Sequence, residues 1–157
     1  TLYAHLTGGP TAIGPAGDGK VFSVMQFSEN TAVQIKNAEA EAWTAAFRKT
    51  HNYDFYAAGY RTLFEFLAAA VTKAGAVDAT KIAYAMEGMT AKDFLGFDNE
   101  MRKDDHQING PYIVGSFVKG EKYDSEKTGL GWKPVTILTA KDVTQPTSCK
   151  MKRPPTK

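Results

Sequence analysis

The order of apolar patterns along the sequence predicts a mixed α/β chain that is incomplete as a closed domain. A buried-strand pattern at residues 20–27 precedes a three-helix block, and only short strand patterns follow that block. On pattern alone, this β-α-α-α-β-β order is typical of α+β folds. About three short strands offer the helices little surface to pack on. We therefore expect the chain to be one part of a larger fold.

Three stretches repeat apolar residues with the period of a helix. The first covers residues 32–50, and polar residues break it at its C-terminal end. The second, residues 55–74, carries the longest apolar stripe. Gly75 follows it, where a helix C-terminus favours a left-handed backbone. Asp78 then offers the N-cap of a short third helix.

The strand patterns of the C-terminal half are short. Residues 94–97 open a run of them, residues 111–118 give the clearest pattern, and residues 134–138 give the last one. Between these, residues 119–133 are polar and contain glycine, so we expect a long hairpin loop. Residues 144–157 are expected to form an extended tail.

The composition argues against several classes of function. The net charge is only +2, and the C-terminal basic residues form a short tail rather than the basic stripe of a nucleic-acid binder. No apolar run approaches the roughly 18 residues of a membrane span. A single cysteine, Cys149, is too few for a zinc or iron–sulfur site, so neither a metal nor a cofactor is expected.

No set of residues in the sequence forms a convincing catalytic group. Asp105 and His106 are adjacent and offer an acid/base pair in principle, but an Asp-rich turn between strands explains them better. The Gly/Pro-rich residues 7–19 lead into a strand rather than a helix, so they lack the arrangement of a phosphate-binding loop. A turn, or a close approach of the backbone to a ligand, is the better interpretation of this loop.

Aromatic residues at the ends of the predicted elements are the best candidates for a ligand pocket. We expect Tyr60 and Phe64 to pack in the core. For Phe27, Tyr53 and Tyr56, a position in the core and a position in the wall of a ligand pocket are about equally supported. The polar residues beside Phe27 and the first residues of the Gly-rich loop are further candidates for the same pocket. The candidate ligand-binding residues are Gly8, Gly9, Pro10, Gln26, Phe27, Ser28, Tyr53 and Tyr56.

Four segments, taken in order, resemble one protein family. They are GPTAIG at residues 9–14, YDFYAAGY at 53–60 opening a long Ala-rich helix, AMEGM at 85–89 and MRKDDHQ at 101–107. Their order and spacing resemble the C-terminal part of type I periplasmic substrate-binding proteins, the Leu/Ile/Val-binding family of ABC importers. The ending at residues 146–154 resembles a subgroup of that family.

The resemblance implies two α/β lobes joined by three crossovers. Residues 1–28 would then be a loop and strand of the C-terminal lobe leading into a hinge. Residues 29–95 would be a helical block of the N-terminal lobe. Residues 96–145 would hold the return crossover and the last strands of the C-terminal lobe, and residues 146–157 the tail.

The resemblance also implies capture of a solute rather than catalysis. A small ligand would be enclosed between the lobes, and the closed protein would dock on an ABC permease in the membrane. The protein would be periplasmic, with a signal peptide in its precursor. The missing N-terminal segment, or a second copy, would complete this chain as a partner. A ligand-sensing domain of the same fold and, less favoured, a small enzyme using Asp105 and His106 are the alternatives.

One departure from the family bears on the ligand. Amino-acid binders of the family place an acidic residue in the loop before this strand, whereas residues 7–17 contain no Asp or Glu. A buried ammonium without a counter-charge is costly. The sequence therefore favours an aromatic or aliphatic carboxylate as ligand, with a branched-chain amino acid kept as the other possibility.

Overall fold

The computed structural model describes residues 2–3, 10–56 and 58–155. The chain divides into two compact units. The first unit consists of Thr1–Ala58 with Tyr112–Leu138, and the second of Gly59–Pro111 with Thr139–Lys157. The chain therefore passes between the units three times. The assignment of residues 29–95 to one lobe stays a prediction.

The described residues form short strands and helices that alternate unevenly. In chain order they are β1 (Leu2–Tyr3), α1 (Pro10–Ile13), a 3-10 helix (Pro15–Gly17), β2 (Phe22–Met25), α2 (Glu29–Gln34), α3 (Ala38–His51), α4 (Ala58–Ala74), α5 (Ala79–Met86), β3 (Thr90–Lys92), β4 (Asp98–Met101), β5 (Ile108–Asn109), β6 (Tyr112–Lys119), β7 (Leu130–Leu138) and α6 (Ala140–Val143).

The first unit is built on a four-stranded sheet in the order β1-β2-β6-β7. Strand β1 is parallel to β2, whereas β2, β6 and β7 are antiparallel to one another. Met25 pairs with Ile113, and Phe117 pairs with Trp132. The predicted strand at residues 134–138 is confirmed but begins earlier, because residues from Leu130 onward already pair with β6.

The core of this unit lies on one face of the sheet. Val21, Phe117, Leu130 and Trp132 are buried together there. The Phe117 and Trp132 rings are 4.8 Å apart between centroids, at an interplanar angle of 41°. Because these two side chains face each other across β6 and β7, they fix the register of the strand pair.

The helix predicted over residues 32–50 is two helices. Helix α2 ends near Ile35, and Lys36 takes a left-handed backbone conformation with a φ of 56°. The side chain of Asn37 then accepts a hydrogen bond of 3.0 Å from the backbone N–H of Ala40, which starts α3. The apolar repeat continues through both helices, so hydrophobic periodicity alone did not reveal this break.

The second unit combines helices α4 and α5 with a three-stranded sheet in the order β3-β4-β5. The predicted end of α4 and the predicted start of α5 are confirmed, whereas α4 begins at Ala58 and the predicted start at residue 55 is wrong. Gly75 follows α4 with a φ of 62°, and the Asp78 side chain accepts from the N–H of Lys81 at 2.9 Å to cap α5. The short helix α6 was not predicted, although Thr139 and Asp142 form a capping box at its start.

The apolar stripe of α4 is not buried as predicted. Tyr60 is 69% exposed and Phe64 is 68% exposed, so the expectation that both pack in the core is wrong for this chain. The buried side of the helix is instead formed by Thr62, Phe66 and Ala70. Both sides of α4 carry apolar residues, and the period of the pattern does not tell which side the chain itself covers.

We predict that Phe117→Ala destabilises the chain by about 3–5 kcal/mol, because it removes a fully buried ring that packs on Trp132. Urea unfolding followed by circular dichroism measures this loss. The control is Val135→Ala, which truncates a side chain that is 55% exposed on a neighbouring strand. A loss for Phe117→Ala no larger than for the control would contradict the proposed position of the core.

Candidate functional site

Of the eight predicted ligand-binding residues, six lie within the described residues, and all six belong to the first unit. Gly8 and Gly9 lie outside the described residues. Pro10 is buried as the first residue of α1. The next residue, Thr11, donates its backbone N–H to Oε2 of Glu126 at 3.0 Å, and its hydroxyl also donates to that oxygen. The Gly-rich loop is therefore tied to the loop between β6 and β7.

The residues that follow β2 serve mainly to hold the fold. Gln26 is exposed. Phe27 packs edge-on against Phe55, with 5.5 Å between ring centroids. Ser28 is buried, and its hydroxyl shares a 2.9 Å hydrogen bond with Thr31 and donates to the carbonyl of Trp132 at 3.3 Å. The side chain of Ser28 is thus satisfied by the protein.

An aromatic cluster surrounds Phe55. Besides Phe27, the rings of Trp43 and Phe47 lie 4.5 Å and 5.0 Å from it. Phe55 is 6% exposed, so it forms the centre of this cluster. The sequence placed Phe27 among the candidate residues at element ends, but it gave no reason to bring Phe55 and α3 to it.

Tyr53 and Tyr56 lie between α3 and α4 and form an exposed aromatic surface, which we call the tyrosine edge. Their rings meet at 82° with centroids 6.0 Å apart, and they are 61% and 44% exposed. The hydroxyl of Tyr56 donates to Oδ2 of Asp54 at 2.8 Å. Burial of the hydroxyl, and then this bond to a carboxylate, raise the pKa of Tyr56 above its ordinary value of 10.0. Tyr56 therefore remains a protonated hydrogen-bond donor.

Asp54 is a buried carboxylate whose oxygens are both occupied. Its Oδ2 also accepts the backbone N–H of Glu126 at 2.6 Å, and its Oδ1 lies 2.8 Å from Nη1 of Arg48. With only 7% exposure, Asp54 has no room for a ligand of its own. It positions Tyr56 and the β6–β7 loop.

Arg48 is shared by three carboxylates, which we call the Arg48 cluster: Arg48, Glu29, Asp54 and Asp124. Its Nη1 lies 2.5 Å from Oε2 of Glu29, and its Nη2 lies 3.2 Å from Oδ1 of Asp124. The guanidinium also lies 5.4 Å from the centre of the Tyr123 ring. One cation thus joins α2, α3, the tyrosine edge and the β6–β7 loop.

Glu29 is a buried carboxylate whose desolvation is partly offset by contacts with Arg48 and with the backbone of Phe55. Its Oε1 accepts the backbone N–H of Phe55 at 3.1 Å. Burial raises the pKa of the Glu29 carboxyl above its ordinary value, and the bonds from Phe55 and Arg48 offset that rise only in part. Removal of Arg48 therefore leaves Glu29 with nothing to balance its desolvation except one peptide N–H.

A glycine brings α2 against β7 at this site. The amide of Asn30 donates to the carbonyl of Tyr123 at 2.8 Å and accepts the N–H of the same residue at 2.9 Å. A Cβ on Gly131 would lie 2.3 Å from the Tyr123 carbonyl oxygen and 2.9 Å from the Asn30 amide nitrogen. Only glycine fits there, so the β6–β7 loop is firmly held rather than a free excursion.

The alternative acid/base pair is divided between separate partners in the second unit. The carboxylate of Asp105 accepts the Gln107 N–H at 3.1 Å, and Nε2 of His106 lies 2.9 Å from Oε1 of Glu87. Desolvation acts to raise the pKa of Asp105, but hydrogen bonds from Gln107 and Thr147 and the charge of Arg102 lower it below the ordinary value. Asp105 is therefore built as a fixed anion in a turn.

Within the described ranges, no group of three or more His, Cys, Asp or Glu side chains is arranged to hold a metal ion. Among the helices of the same ranges, none combines the length and the apolar character that a membrane crossing requires.

Comparison with known proteins identifies the family. A family model described as "Periplasmic binding protein" matches residues 1–122. This chain belongs to that family. Curated relatives called Leu/Ile/Val-binding protein homolog 4, from Brucella abortus and Brucella suis, are each 35% identical over 82 residues. The match covers 51% of this chain but 20% of each relative.

Solved structures give the same fold. The closed leucine-, isoleucine-, valine-, threonine- and alanine-binding protein from Brucella ovis has a TM-score of 0.76 at 25% identity, covering 92% of this chain and 37% of that one. A branched-chain amino acid transporter protein from Rhodopseudomonas palustris CGA009 has a TM-score of 0.65 at 23% identity, covering 85% and 34%. These neighbours are type I periplasmic binding proteins, and the partial coverage fits a C-terminal part of their fold.

We predict that Arg48→Met destabilises the chain by about 3–5 kcal/mol at neutral pH, because it leaves the Glu29 and Asp54 carboxylates buried without their cation. Thermal and urea unfolding measure the loss. Lys92→Met, which removes an exposed pair with Asp98, is expected to cost less than about 1 kcal/mol.

The pH dependence of the Arg48→Met loss has a definite sign. Without Arg48, the pKa of Glu29 in the folded state rises further above its ordinary value of 4.5. A raised folded pKa gives stability at low pH that is lost as the pH rises. The difference between wild type and variant should therefore grow as the pH rises above 4.5. A difference that shrinks over that range would contradict the assignment of Glu29.

Proposed function

We propose that this chain is the C-terminal part of the solute-binding component of an ABC importer. In this proposal the full protein resides in the periplasm, carries a signal peptide in its precursor, encloses a small organic ligand between two lobes and delivers it to a membrane permease. The observation that carries the proposal is the match of the periplasmic binding protein family to residues 1–122. The family consists of substrate-binding proteins rather than enzymes.

The ligand-facing part of the first unit is proposed to be the tyrosine edge. Tyr53 and Tyr56 present aromatic rings to solvent on a loop that the Arg48 cluster holds rigidly. Aromatic rings with a few oriented polar groups are typical of small-molecule pockets. Pro10 and Gln26 remain candidates, whereas Phe27 and Ser28 are proposed to support the site from behind, because both pack within the unit.

The structure supplies an acidic group that the sequence of the Gly-rich loop lacks. Glu126 comes from the β6–β7 loop, yet its carboxylate binds the N–H and the hydroxyl of Thr11. A carboxylate beside this loop offers a counter-charge for an ammonium ligand. A branched-chain amino acid is therefore supported as a ligand beside the aromatic or aliphatic carboxylate. One solved relative, from Rhodopseudomonas palustris BisB5, is in complex with 3,4-dihydroxybenzoic acid.

We predict that Glu126→Gln separates the two ligand classes in the full-length protein. If an ammonium group binds Glu126 and closure of the lobes encloses the pair, the variant loses at least about tenfold in affinity for branched-chain amino acids, since removing the partner of an enclosed charge costs more than 1.4 kcal/mol. Affinity for aromatic and aliphatic carboxylates should stay the same or rise. Isothermal titration calorimetry with both series measures this.

Tyr56→Ala provides the matched test of the tyrosine edge. It should weaken binding of whichever class is bound by about tenfold or more, whereas Tyr84→Ala, on α5 of the second unit, should leave affinity unchanged. Failure of both ligand classes to bind or to raise the melting temperature of the wild-type protein would overturn the proposed function.

A further inference from the structure

The β6–β7 loop contains a turn whose two central residues both take a left-handed backbone. Glu126 and Lys127 have φ values of 51° and 57°, and the N–H of Thr128 donates to the carbonyl of Ser125 at 3.1 Å, which closes the turn. Turns of this kind are normally built from Asn-Gly, Asp-Gly or Gly-Gly, because a left-handed backbone strains most other residues. Strain of this kind is concentrated at ligand-binding and active sites.

The first residue of this pair is held in place by the first unit. The N–H of Glu126 donates to Oδ2 of Asp54 at 2.6 Å, and its carboxylate accepts the N–H of Thr11 at 3.0 Å. These contacts account for the position of Glu126 and of the turn. They do not involve the side chain of Lys127, so the presence of a long cation at the second strained position has a separate cause.

Lys127 extends from this turn to the tyrosine edge. Its Nζ donates to Oδ1 of Asn52 at 3.0 Å. Asn52 ends α3 with a left-handed φ of 51° and directly precedes Tyr53. An ammonium has three N–H donors, and Asn52 accepts from one of them. Since Lys127 is exposed, its charge is presented to solvent beside the start of the tyrosine edge.

The basic residues around the tyrosine edge differ in what already neutralises them. Arg48 is shared by three carboxylates, and Lys122 pairs with Glu41. Among the residues that the structure describes, no carboxylate lies within ion-pair distance of the Lys127 ammonium, whose partner is the neutral amide of Asn52. Because acidic groups outnumber the cations here, an anionic ligand needs a cation that is not already paired.

We propose that Lys127 is a ligand-binding residue whose ammonium binds the carboxylate of the solute beside Tyr53. A carboxylate is the group that both ligand classes of the proposed function share, whereas Glu126 is assigned to the ammonium that only an amino acid carries. Charge-assisted hydrogen bonds between an ammonium and a carboxylate are among the stronger contacts available to a small ligand. The inference rests on the proposed function, because it requires that the tyrosine edge faces the ligand.

Lys127→Gly in the full-length protein tests this assignment. Glycine adopts a φ of 57° without strain, so the melting temperature should hold or rise. Isothermal titration calorimetry with leucine and with 3,4-dihydroxybenzoate measures binding. The affinity for whichever acid binds the wild type should fall at least about tenfold, because the variant loses a hydrogen bond between two charged groups. A lysine that served the turn alone would show no such loss.

Lys36→Gly is the matched control. Lys36 is also an exposed lysine with a left-handed backbone, at a φ of 56°, but it lies at the junction of α2 and α3. The control therefore removes the same charge and relieves the same backbone conformation. It should change the affinity by less than about threefold, because salt screens a charge that does not contact the ligand.

Carboxamide analogues of the two acids show whether Lys127 recognises the charge of the ligand. Leucinamide and 3,4-dihydroxybenzamide keep the shape of the parent acids but lack the carboxylate. Both should bind more weakly than the acids, and each should bind the wild type and Lys127→Gly with nearly equal affinity. The acid, the amide and the two proteins then form a double cycle that isolates the contact between the ammonium and the carboxylate.

The outcomes distinguish this inference from the proposed function. Equal affinity of the wild type and Lys127→Gly for the bound acid would overturn the role of Lys127 and leave the proposed function standing. An equal loss for the acid and its amide would also overturn it, because Lys127 would then position the site without binding the carboxylate. Failure of the wild type to bind either ligand class would overturn the proposed function and this inference with it.

Discussion

The guanidinium of Arg48 is the group on which the arrangement of the first unit depends. It lies within ion-pair distance of carboxylates from α2, from the loop after α3 and from the β6–β7 loop. These segments are far apart in the sequence, at residues 29, 54 and 124. The desolvation of these charged groups offsets much of the free energy that their attraction contributes. The ion pairs of Arg48 therefore fix the relative positions of three segments more than they stabilise the fold.

Asp54 links the Arg48 cluster to the candidate site. One of its oxygens contacts Arg48, and the other binds the Tyr56 hydroxyl and the Glu126 peptide N–H. Glu126 in turn holds Thr11 at the start of α1. The tyrosine edge and the Gly-rich loop are thus connected through a chain of polar contacts that begins at the partly buried guanidinium of Arg48. If the tyrosine edge binds the ligand as proposed, these bonds leave little ordering of the site to oppose capture.

The two sides of α4 differ sharply in burial although both carry large apolar residues. Phe66 is fully buried, while Phe64, two positions earlier, is 68% exposed. Both side chains are phenylalanine on one helix, so intrinsic preference does not separate them. Burial is decided by whether another element is present to receive the side chain.

The sequence by itself determined the family, the order of elements and most of their ends. Gly75 and Asp78 ended and began helices as predicted, because caps are set by local backbone chemistry. It also placed Tyr53 and Tyr56 at an element boundary. Only the tertiary structure decided that α2 and α3 are separate helices, that Tyr60 and Phe64 are exposed, and that Ser28 is buried. It alone brought Glu29, Asp54 and Asp124 to Arg48 and Glu126 to Thr11, because contacts between residues distant in the chain leave no periodic trace in a single sequence.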